Sequence, residues 1–134
     1  MKTVFLDTGA IYAFINRNDA DHMAVASAYH KAPKLLTHSA VLMETTSLIT
    51  KRLRKGAALE TVDALRCSAK VDVVHVDAVL ADRGWTRCTR YADKDWDWID
   101  CISFEIMEER GIKAALALDK HFRQAGFRLL PGFG

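Results

Sequence analysis

TVFLDTGAIYAF, residues 3–14, is the stretch that decides the fold. Its first four residues, 3–6, form a short apolar, β-rich run that ends abruptly at Asp7. A turn at Gly9 then leads into a helical segment near 11–15. A strand followed by a helix is the repeating unit of α/β proteins. The same unit returns along the chain, with further strands predicted at 34–38, 71–76, 114–118 and 127–130.

The segments between these strands have the composition and end signals of helices, and Ser39 is a favourable N-cap for one of them. Short apolar strands separated by helices predict an α/β fold with a central parallel sheet of about five strands, flanked by helices on both faces. No repeat or linker divides the chain, so residues 1–134 are predicted to form one domain. The further helices are expected at about 19–32, 41–54, 57–69, 77–91 and 101–110.

The composition limits the classes of protein that fit. Half of the 134 residues are hydrophobic, which is enough for a core, and the net charge of +2 is too small to indicate a nucleic-acid partner by itself. Three cysteines form no even set and no CxxC pair, as expected of a reduced, cytoplasmic protein. No apolar run is long enough for a signal peptide or a membrane span, so no membrane association is predicted.

Two aspartates stand where predicted strands end. Asp7 ends the first strand and Asp119 ends the fourth. In open parallel sheets, ligands bind outside the carboxyl ends of the strands, so both acids are predicted to lie at the same edge. A single acid at a strand end can equally be a helix cap. Two acids that each end an apolar run favour a shared site.

Glu44 and Asp100 are the next two candidates. Glu44 lies in the otherwise apolar and small-residue segment AVLMETTSLI, and Asp100 precedes the helix predicted at 101–110. An exposed position for Glu44 and an N-cap role for Asp100 are the simpler interpretations. If all four carboxylates share a pocket, they need a countercharge. Oxygen ligands favour a hard cation, Mg²⁺ or Mn²⁺.

Carboxylates around such a cation suit phosphoryl chemistry, because a metal can activate water and neutralise the leaving oxygen. This chemistry needs no nucleophilic side chain and no glycine-rich phosphate loop. The chain contains neither a GxxxxGK[ST] motif nor a GxSxG motif.

Three stretches together resemble the PIN-domain nucleases, and in particular the VapC-like toxins of bacterial toxin–antitoxin pairs. They are FLDTGAIYAF, VLMETTSLITKR and DWIDCISFEIMEERGIKAALALDKHFRQAGFRLL. The resemblance covers nearly the whole chain and preserves the order of the four acids. It implies an endoribonuclease that depends on Mg²⁺ or Mn²⁺, with Asp7, Glu44, Asp100 and Asp119 as the acidic cluster.

The resemblance further implies a homodimer that is inhibited by a small antitoxin covering the active groove. It suggests Thr8 as a small polar neighbour of the site, and His121 is the histidine placed nearest to the site. Two positions depart from the family pattern. Asp97 stands where relatives often have Ser or Thr, and Ala117 stands where they often have Thr, so metal preference and rate are open. Asp97 is a further possible metal ligand if the helix begins early enough.

Several basic residues are candidates for binding RNA phosphates. Lys51 and Lys55 follow Glu44 at helical spacing and are predicted to share its face. Ordinary solvated helix faces are the competing interpretation for these groups. Trp96 and Trp98 are expected to be core or dimer-interface residues rather than platforms for RNA bases. A second basic group at helical spacing comprises Arg83, Arg87 and Arg90.

Three other functions compete with the toxin. A phosphatase with an aspartyl nucleophile needs a second Asp two residues after the first, where this chain has Gly9. A housekeeping RNA-processing PIN nuclease would carry the same four acids. A non-catalytic PIN-like RNA-binding module would be expected to lose acids, and here all four are present.

Overall fold

The computed structural model describes residues 2–132, which form a five-stranded sheet between two layers of helices. All neighbouring strands pair in parallel, in the order β3-β2-β1-β4-β5. The predicted α/β fold with a five-stranded parallel sheet is confirmed. The strands are β1 (Thr3–Leu6), β2 (Lys34–His38), β3 (Val71–Val74), β4 (Ala114–Leu116) and β5 (Arg128–Leu130).

The path of the chain explains why helices cover both faces. From β1 the chain moves outward to β2 and β3, and then crosses back over to β4 and β5. Because parallel crossovers are right-handed, this reversal places the helices before β3 on one face and those after β3 on the other. Among residues 2–132, no helix is both long and apolar enough to cross a bilayer. The helices are α1 (Thr8–Ile15), α2 (His22–Lys31), α3 (Ser39–Arg52), α4 (Lys55–Cys67), α5 (Ala78–Arg90), α6 (Trp98–Arg110) and α7 (His121–Gln124).

The central strand β1 is buried on both faces. Val4, Phe5 and Leu6 are consecutive core residues, as expected for a parallel strand covered on each side. The Phe5 ring lies 5.7 Å from that of Phe122 on α7, which in turn lies 5.1 Å from Phe104 on α6. This aromatic cluster fixes α6 and α7 against the sheet and thereby sets where their neighbouring polar residues lie.

Some predicted boundaries were wrong. Helix α6 begins at Trp98 rather than at 101, and the N-cap of α3 is His38 rather than Ser39. The strands predicted at 71–76 and 114–118 each end two residues early. The short helix α7 was not predicted, because four residues are too few to show a helical period.

Gly84 marks a close approach of α5 to α6. A Cβ at this position would lie 2.6 Å from Ile102 Cγ1 and 3.1 Å from the Ile102 backbone nitrogen. We expect Gly84→Ala to lower the free energy of unfolding by about 1–3 kcal/mol, because the helices must move apart. Gly9→Ala is the matched control, since its Cβ would meet only Leu118 Cβ at 3.8 Å. Urea unfolding of both variants checks this; equal midpoints would contradict the tight contact.

Candidate active site

Seven of the candidate residues line one pocket of about 490 Å³ at the carboxyl edge of the sheet. They come from four separate parts of the chain: the end of β1 with the start of α1, the middle of α3, the start of α6, and the segment from the end of β4 to the first residue of α7. This acidic pocket is lined by Asp7, Thr8, Gly9, Glu44, Leu48, Asp97, Asp100, Leu118, Asp119 and His121.

Asp7 lies at the end of β1, at the N-cap position of α1, but its side chain makes no capping hydrogen bond. Burial raises the pKa of this carboxyl to about 8; the charge of Asp100 adds to the shift, as do those of Glu44 and Asp119, while the Thr8 backbone N–H opposes it. The three other acids thus act on Asp7 electrostatically. Asp7 therefore lacks a countercharge within the acidic pocket.

Asp97 and Asp100 form a reciprocal capping box at the start of α6. Asp97 Oδ1 accepts from the Asp100 backbone N–H at 2.8 Å, and Asp100 Oδ2 accepts from the Asp97 backbone N–H at 3.1 Å. Burial raises the pKa of Asp100 to about 6, and the charge of Asp97 adds to this, whereas the Asp97 N–H and His121 oppose it. Asp97 is the N-cap, and Asp100 lies one turn into the helix.

His121 joins two of the acids. Its Nδ1 lies 2.9 Å from Asp100 Oδ2 and 3.1 Å from Asp119 Oδ2, and its backbone N–H donates to Asp119 Oδ1 at 3.0 Å. A carboxylate only accepts hydrogen bonds, so Nδ1 carries the proton when these acids are ionised. The ring of His121 therefore connects Asp100 of α6 to Asp119 after β4, and the His121 backbone N–H holds Asp119 in addition.

The acidic pocket contains the oxygen donors of a metal site, but their side chains are not positioned around a common point. Glu44 is partly exposed on α3, and Asp119 is exposed at the rim. Within residues 2–132, no group of three or more His, Cys, Asp or Glu side chains is already arranged to hold a metal ion. Asp100 and Asp119 are instead hydrogen-bonded to His121.

Thr8 is buried and connects two of the elements that carry acids. Its hydroxyl donates to the Val41 carbonyl of α3 at 3.3 Å and accepts from Thr45 Oγ1 at 3.2 Å. These contacts fix α1, which follows Asp7, against α3, which carries Glu44. Thr8 is thus a neighbour of the site whose hydroxyl is already engaged with α3.

The expectation that Lys55 shares the helix face of Glu44 and Lys51 was wrong. Helix α3 ends at Arg52, its C-cap Leu53 leaves the helical conformation, and Lys55 is the first residue of α4. Lys51 remains exposed on α3, and neither lysine lines the acidic pocket. The helices predicted at about 41–54 and 57–69 already left Lys55 between them, next to Gly56, so the spacing from Glu44 did not extend to it.

Arg83 and Arg87, predicted as possible phosphate contacts, form ion pairs between helices. Arg87 Nε lies 2.6 Å from Glu105 Oε2, and Arg83 contacts both Glu105 and Glu109. These pairs hold α5 on α6 and neutralise the arginines. The remaining member of the group, Arg90, is exposed.

The two tryptophans of the DKDWDWID stretch have different environments. Trp96 is buried; its Nε1 donates to Gln124 Oε1 at 3.2 Å, and its ring packs against that of Phe104. Trp98 is 44% exposed and lies edge-on to the exposed ring of Trp85, 5.1 Å away. Trp96 is a core residue, while Trp98 and Trp85 present an aromatic pair on the surface.

A buried histidine network was missed from the sequence. His38 Nδ1 accepts from the Val41 backbone N–H at 3.3 Å, and Nε2 lies 2.8 Å from Ser103 Oγ, which donates to the Ile99 carbonyl at 3.0 Å. Burial lowers the pKa of His38 to about 4. The network connects the start of α3 to α6, the helices that carry Glu44 and Asp100. A Thr-His pair at a strand end gives no sign of a partner 65 positions away.

Known proteins match both the sequence and the fold. The PIN domain family model matches residues 4–128. The 23S rRNA-specific endonuclease VapC20 of Mycobacterium tuberculosis is 34% identical over 125 residues, which cover 92% of this chain and 95% of VapC20. The crystal structure of M. tuberculosis VapC20, described as a Sarcin-Ricin loop cleaving toxin, superimposes with a TM-score of 0.87 over the same shares of both chains, at 34% identity.

A more distant structure shares the fold. The crystal structure of DNA-bound VapBC from Salmonella typhimurium has a TM-score of 0.67 at 18% identity, and the match covers 96% of this chain and 97% of the matched chain. Together with the VapC20 match over nearly the full length of both chains, the PIN model match shows that the chain belongs to the PIN-domain family, and within it to the VapC-like ribonuclease toxins.

Proposed function

We propose that this ribonuclease depends on a divalent cation, Mg²⁺ or Mn²⁺, held in the acidic pocket. The observation that carries the proposal is the convergence of four carboxyl groups from four distant parts of the chain on one pocket. The donor set consists of carboxylate oxygens, which suit hard cations and not zinc. The raised pKa values of Asp7 and Asp100 add support, because they indicate acids in need of a positive charge.

The proposed ligands are Asp7, Glu44, Asp100 and Asp119, with Asp97 at the rim as a further donor. Such a cation polarises a phosphoryl oxygen and lowers the pKa of a bound water when present. The protein's part is positioning: the capping box fixes the backbone around Asp100, and Thr8 fixes α1 against α3. His121 restrains Asp100 and Asp119 and lies where it can contact the substrate.

The proposed substrate is ribosomal RNA, because VapC20, at 34% identity, is a 23S rRNA-specific endonuclease. Lys51 and Lys55 are proposed to contact RNA phosphates, each from its own helix. The four acids and the cation account for hydrolysis of a phosphodiester bond but do not select an RNA sequence. Selection depends on RNA contacts outside the acidic pocket.

The proposed partners are a small cognate antitoxin and a second copy of the chain. An arginine from the antitoxin would suit the acidic pocket, since its planar guanidinium pairs with carboxylates bidentately and would compete with the cation. The exposed pair Trp85 and Trp98 has the character of an interface anchor. The free thiols Cys67, Cys88 and Cys101 fit the proposed cytoplasmic setting.

The test is cleavage of intact ribosomes by the purified protein, with mapping of the RNA ends. In Mg²⁺ we expect a small number of defined ends in the large-subunit RNA, and none in EDTA. Asp100→Asn should lose at least about 10³-fold in rate, because it removes a charged oxygen that holds the cation. Cleavage that persists in EDTA would contradict metal dependence.

Two alternatives give different results in the same assay. A housekeeping RNA-processing nuclease would leave mature ribosomes intact and cleave a precursor RNA. A non-catalytic PIN-like module would bind RNA without producing new ends. If Asp100→Asn produces the same RNA ends as the native protein, the ends come from a contaminating nuclease. The assay would then support neither the toxin nor the housekeeping nuclease.

A further inference from the structure

We propose that a basic cleft at the opposite edge of the sheet binds the phosphate backbone of the RNA substrate, away from the bond that is cut. This inference rests on the proposed ribonuclease function. The cleft has a volume of about 740 Å³ and lies where β1 and β4 begin and α6 ends. Its cations are Lys2, Arg110, Lys113 and Arg128.

Among the residues that the structure describes, the four cations of the basic cleft have no carboxylate partners. Within residues 2–132, none of them forms an ion pair within 4.0 Å. Asp72 also lines the cleft, but its Oδ1 lies 3.4 Å from Lys34 Nζ. The charge of Asp72 is therefore neutralised by Lys34, which is not one of the four cations. Like charges repel one another when they are gathered without partners, so the cleft carries an electrostatic cost that a bound polyanion would relieve.

The acidic pocket explains why RNA needs such a contact elsewhere. Its carboxylates repel phosphates, and the net charge of the chain is only +2. Arg83 and Arg87 are neutralised by glutamates of α6 and therefore do not supply this contact. Affinity for RNA comes mainly from cations that displace counterions from phosphates. The unpaired cations of the basic cleft are suited to supply that attraction.

The geometry connects the two sites through α6. Asp100 lies in the first turn of this helix and Arg110 is its last residue. At 1.5 Å per residue, they are about 15 Å apart along the axis. A folded RNA that extends well beyond the scissile bond can therefore contact both ends of α6.

A local role accounts for only one of the cations. Arg110 complements the exposed carbonyls at the C-terminal end of α6, where Gly111 ends the helix in the left-handed conformation. Lys113 lies three residues beyond Arg110, outside the helix, whereas Lys2 precedes β1 and Arg128 begins β5, so neither of these two stands at a helix end. The end of α6 therefore accounts for the position of Arg110 but not for the gathering of all four cations in one cleft.

The test compares two charge-matched triple variants in RNA binding. Arg110→Gln/Lys113→Gln/Arg128→Gln alters exposed residues of the cleft, and Arg17→Gln/Lys31→Gln/Arg66→Gln alters exposed residues elsewhere. The probe is a labelled transcript of a large-subunit rRNA stem-loop with its flanking duplex, titrated in EDTA so that no cleavage is needed. We expect the cleft variant to bind at least about tenfold more weakly and to lower the slope of log Kd against log salt by about 2.

Each outcome decides the proposal. Equal affinities and slopes for the two variants would overturn it, as would failure of the native protein to bind this RNA. Retained RNA binding with lost antitoxin binding would identify the cleft as a protein contact and overturn it too. In Mg²⁺, the cleft variant should raise KM on the long transcript without lowering kcat. If RNA binding depends on the cleft while the native protein cuts no RNA, the cleft proposal stands and the catalytic one fails.

Discussion

Asp7→Asn is expected to abolish RNA cleavage while making the cation-free protein more stable. The loss of cleavage, by at least about 10³-fold, follows if this carboxylate holds the catalytic cation. The gain in stability follows from the raised pKa of Asp7, about 8 in the folded protein against 3.8 in the unfolded chain. Asparagine has the same shape but no charge to bury.

The sign of the pH dependence follows from proton uptake. Between pH 4 and pH 8 the folded protein keeps a proton on Asp7 that the unfolded chain has released, so the free energy of unfolding falls as the pH rises through this window. One pKa unit corresponds to about 1.4 kcal/mol, which sets an upper limit of nearly 6 kcal/mol. Because the pocket is open to water, we expect Asp7→Asn to gain only about 2 kcal/mol at pH 7.

Thermal unfolding in EDTA from pH 5 to pH 9, together with ribosome cleavage in Mg²⁺, measures both effects. Asp95→Asn is the matched control, since Asp95 is an exposed loop acid outside the acidic pocket. It should change neither property. A destabilised Asp7→Asn protein would show that Asp7 is a structural group, and retained cleavage would remove it from the catalytic site.

Asp7 and Asp119 could be placed from the sequence because their signal is local. An apolar run that stops at an acid indicates a strand end nearby, directly before Asp7 and three residues before Asp119, and the parallel sheet brings such ends to one edge. Asp100 was harder to place, because Asp97 and Asp100 are both favourable N-cap residues for the same helix. The reciprocal capping box settles the choice in favour of Asp97.

Contacts between distant elements could not be predicted. His121 was placed near the site by its distance from Asp119 in sequence, but its bond to Asp100 depends on how α6 packs against the sheet. Lys55 was assigned to the face of Glu44 by spacing alone, and the break at Leu53 invalidates that spacing. The partners of Arg83 and Arg87 likewise depend on the pairing of α5 with α6.

Acidification from pH 6.5 to pH 4 is expected to lower the free energy of unfolding by about 3 kcal/mol through the protonation of His38 alone. The pKa of this imidazole is about 4 when folded and 6.5 in the unfolded chain. The unfolded chain therefore binds the proton first as the pH falls, and stability decreases through this window. A difference of about 2.5 pKa units corresponds to the stated free energy. The side chain is fully buried, so solvent screening is small.

The hydrogen bonds around His38 explain why the proton is excluded. Nδ1 already accepts from the Val41 N–H, and Nε2 donates to Ser103 Oγ, whose own proton goes to the Ile99 carbonyl. Only the neutral tautomer with its proton on Nε2 satisfies all three bonds. A second proton on Nδ1 would face the Val41 N–H, and the cap of α3 would be lost.

His38→Asn separates this effect from the opposite effect of Asp7. Asparagine can cap α3 in place of Nδ1 but cannot titrate, so its unfolding free energy should lack the acid-dependent loss seen in the native protein. At pH 7 the variant should be about 2–3 kcal/mol less stable, because Ser103 loses its donor and the ring leaves a cavity. His75→Asn, at an exposed position, is the matched control that leaves the buried network in place. If the native protein and His38→Asn lose stability in parallel below pH 6.5, His38 is not the titrating group.

The same variant is expected to cleave RNA more slowly, because the network joins the helices that carry Glu44 and Asp100. When a stabilising osmolyte is added, the cleavage rate should recover less than the stability does.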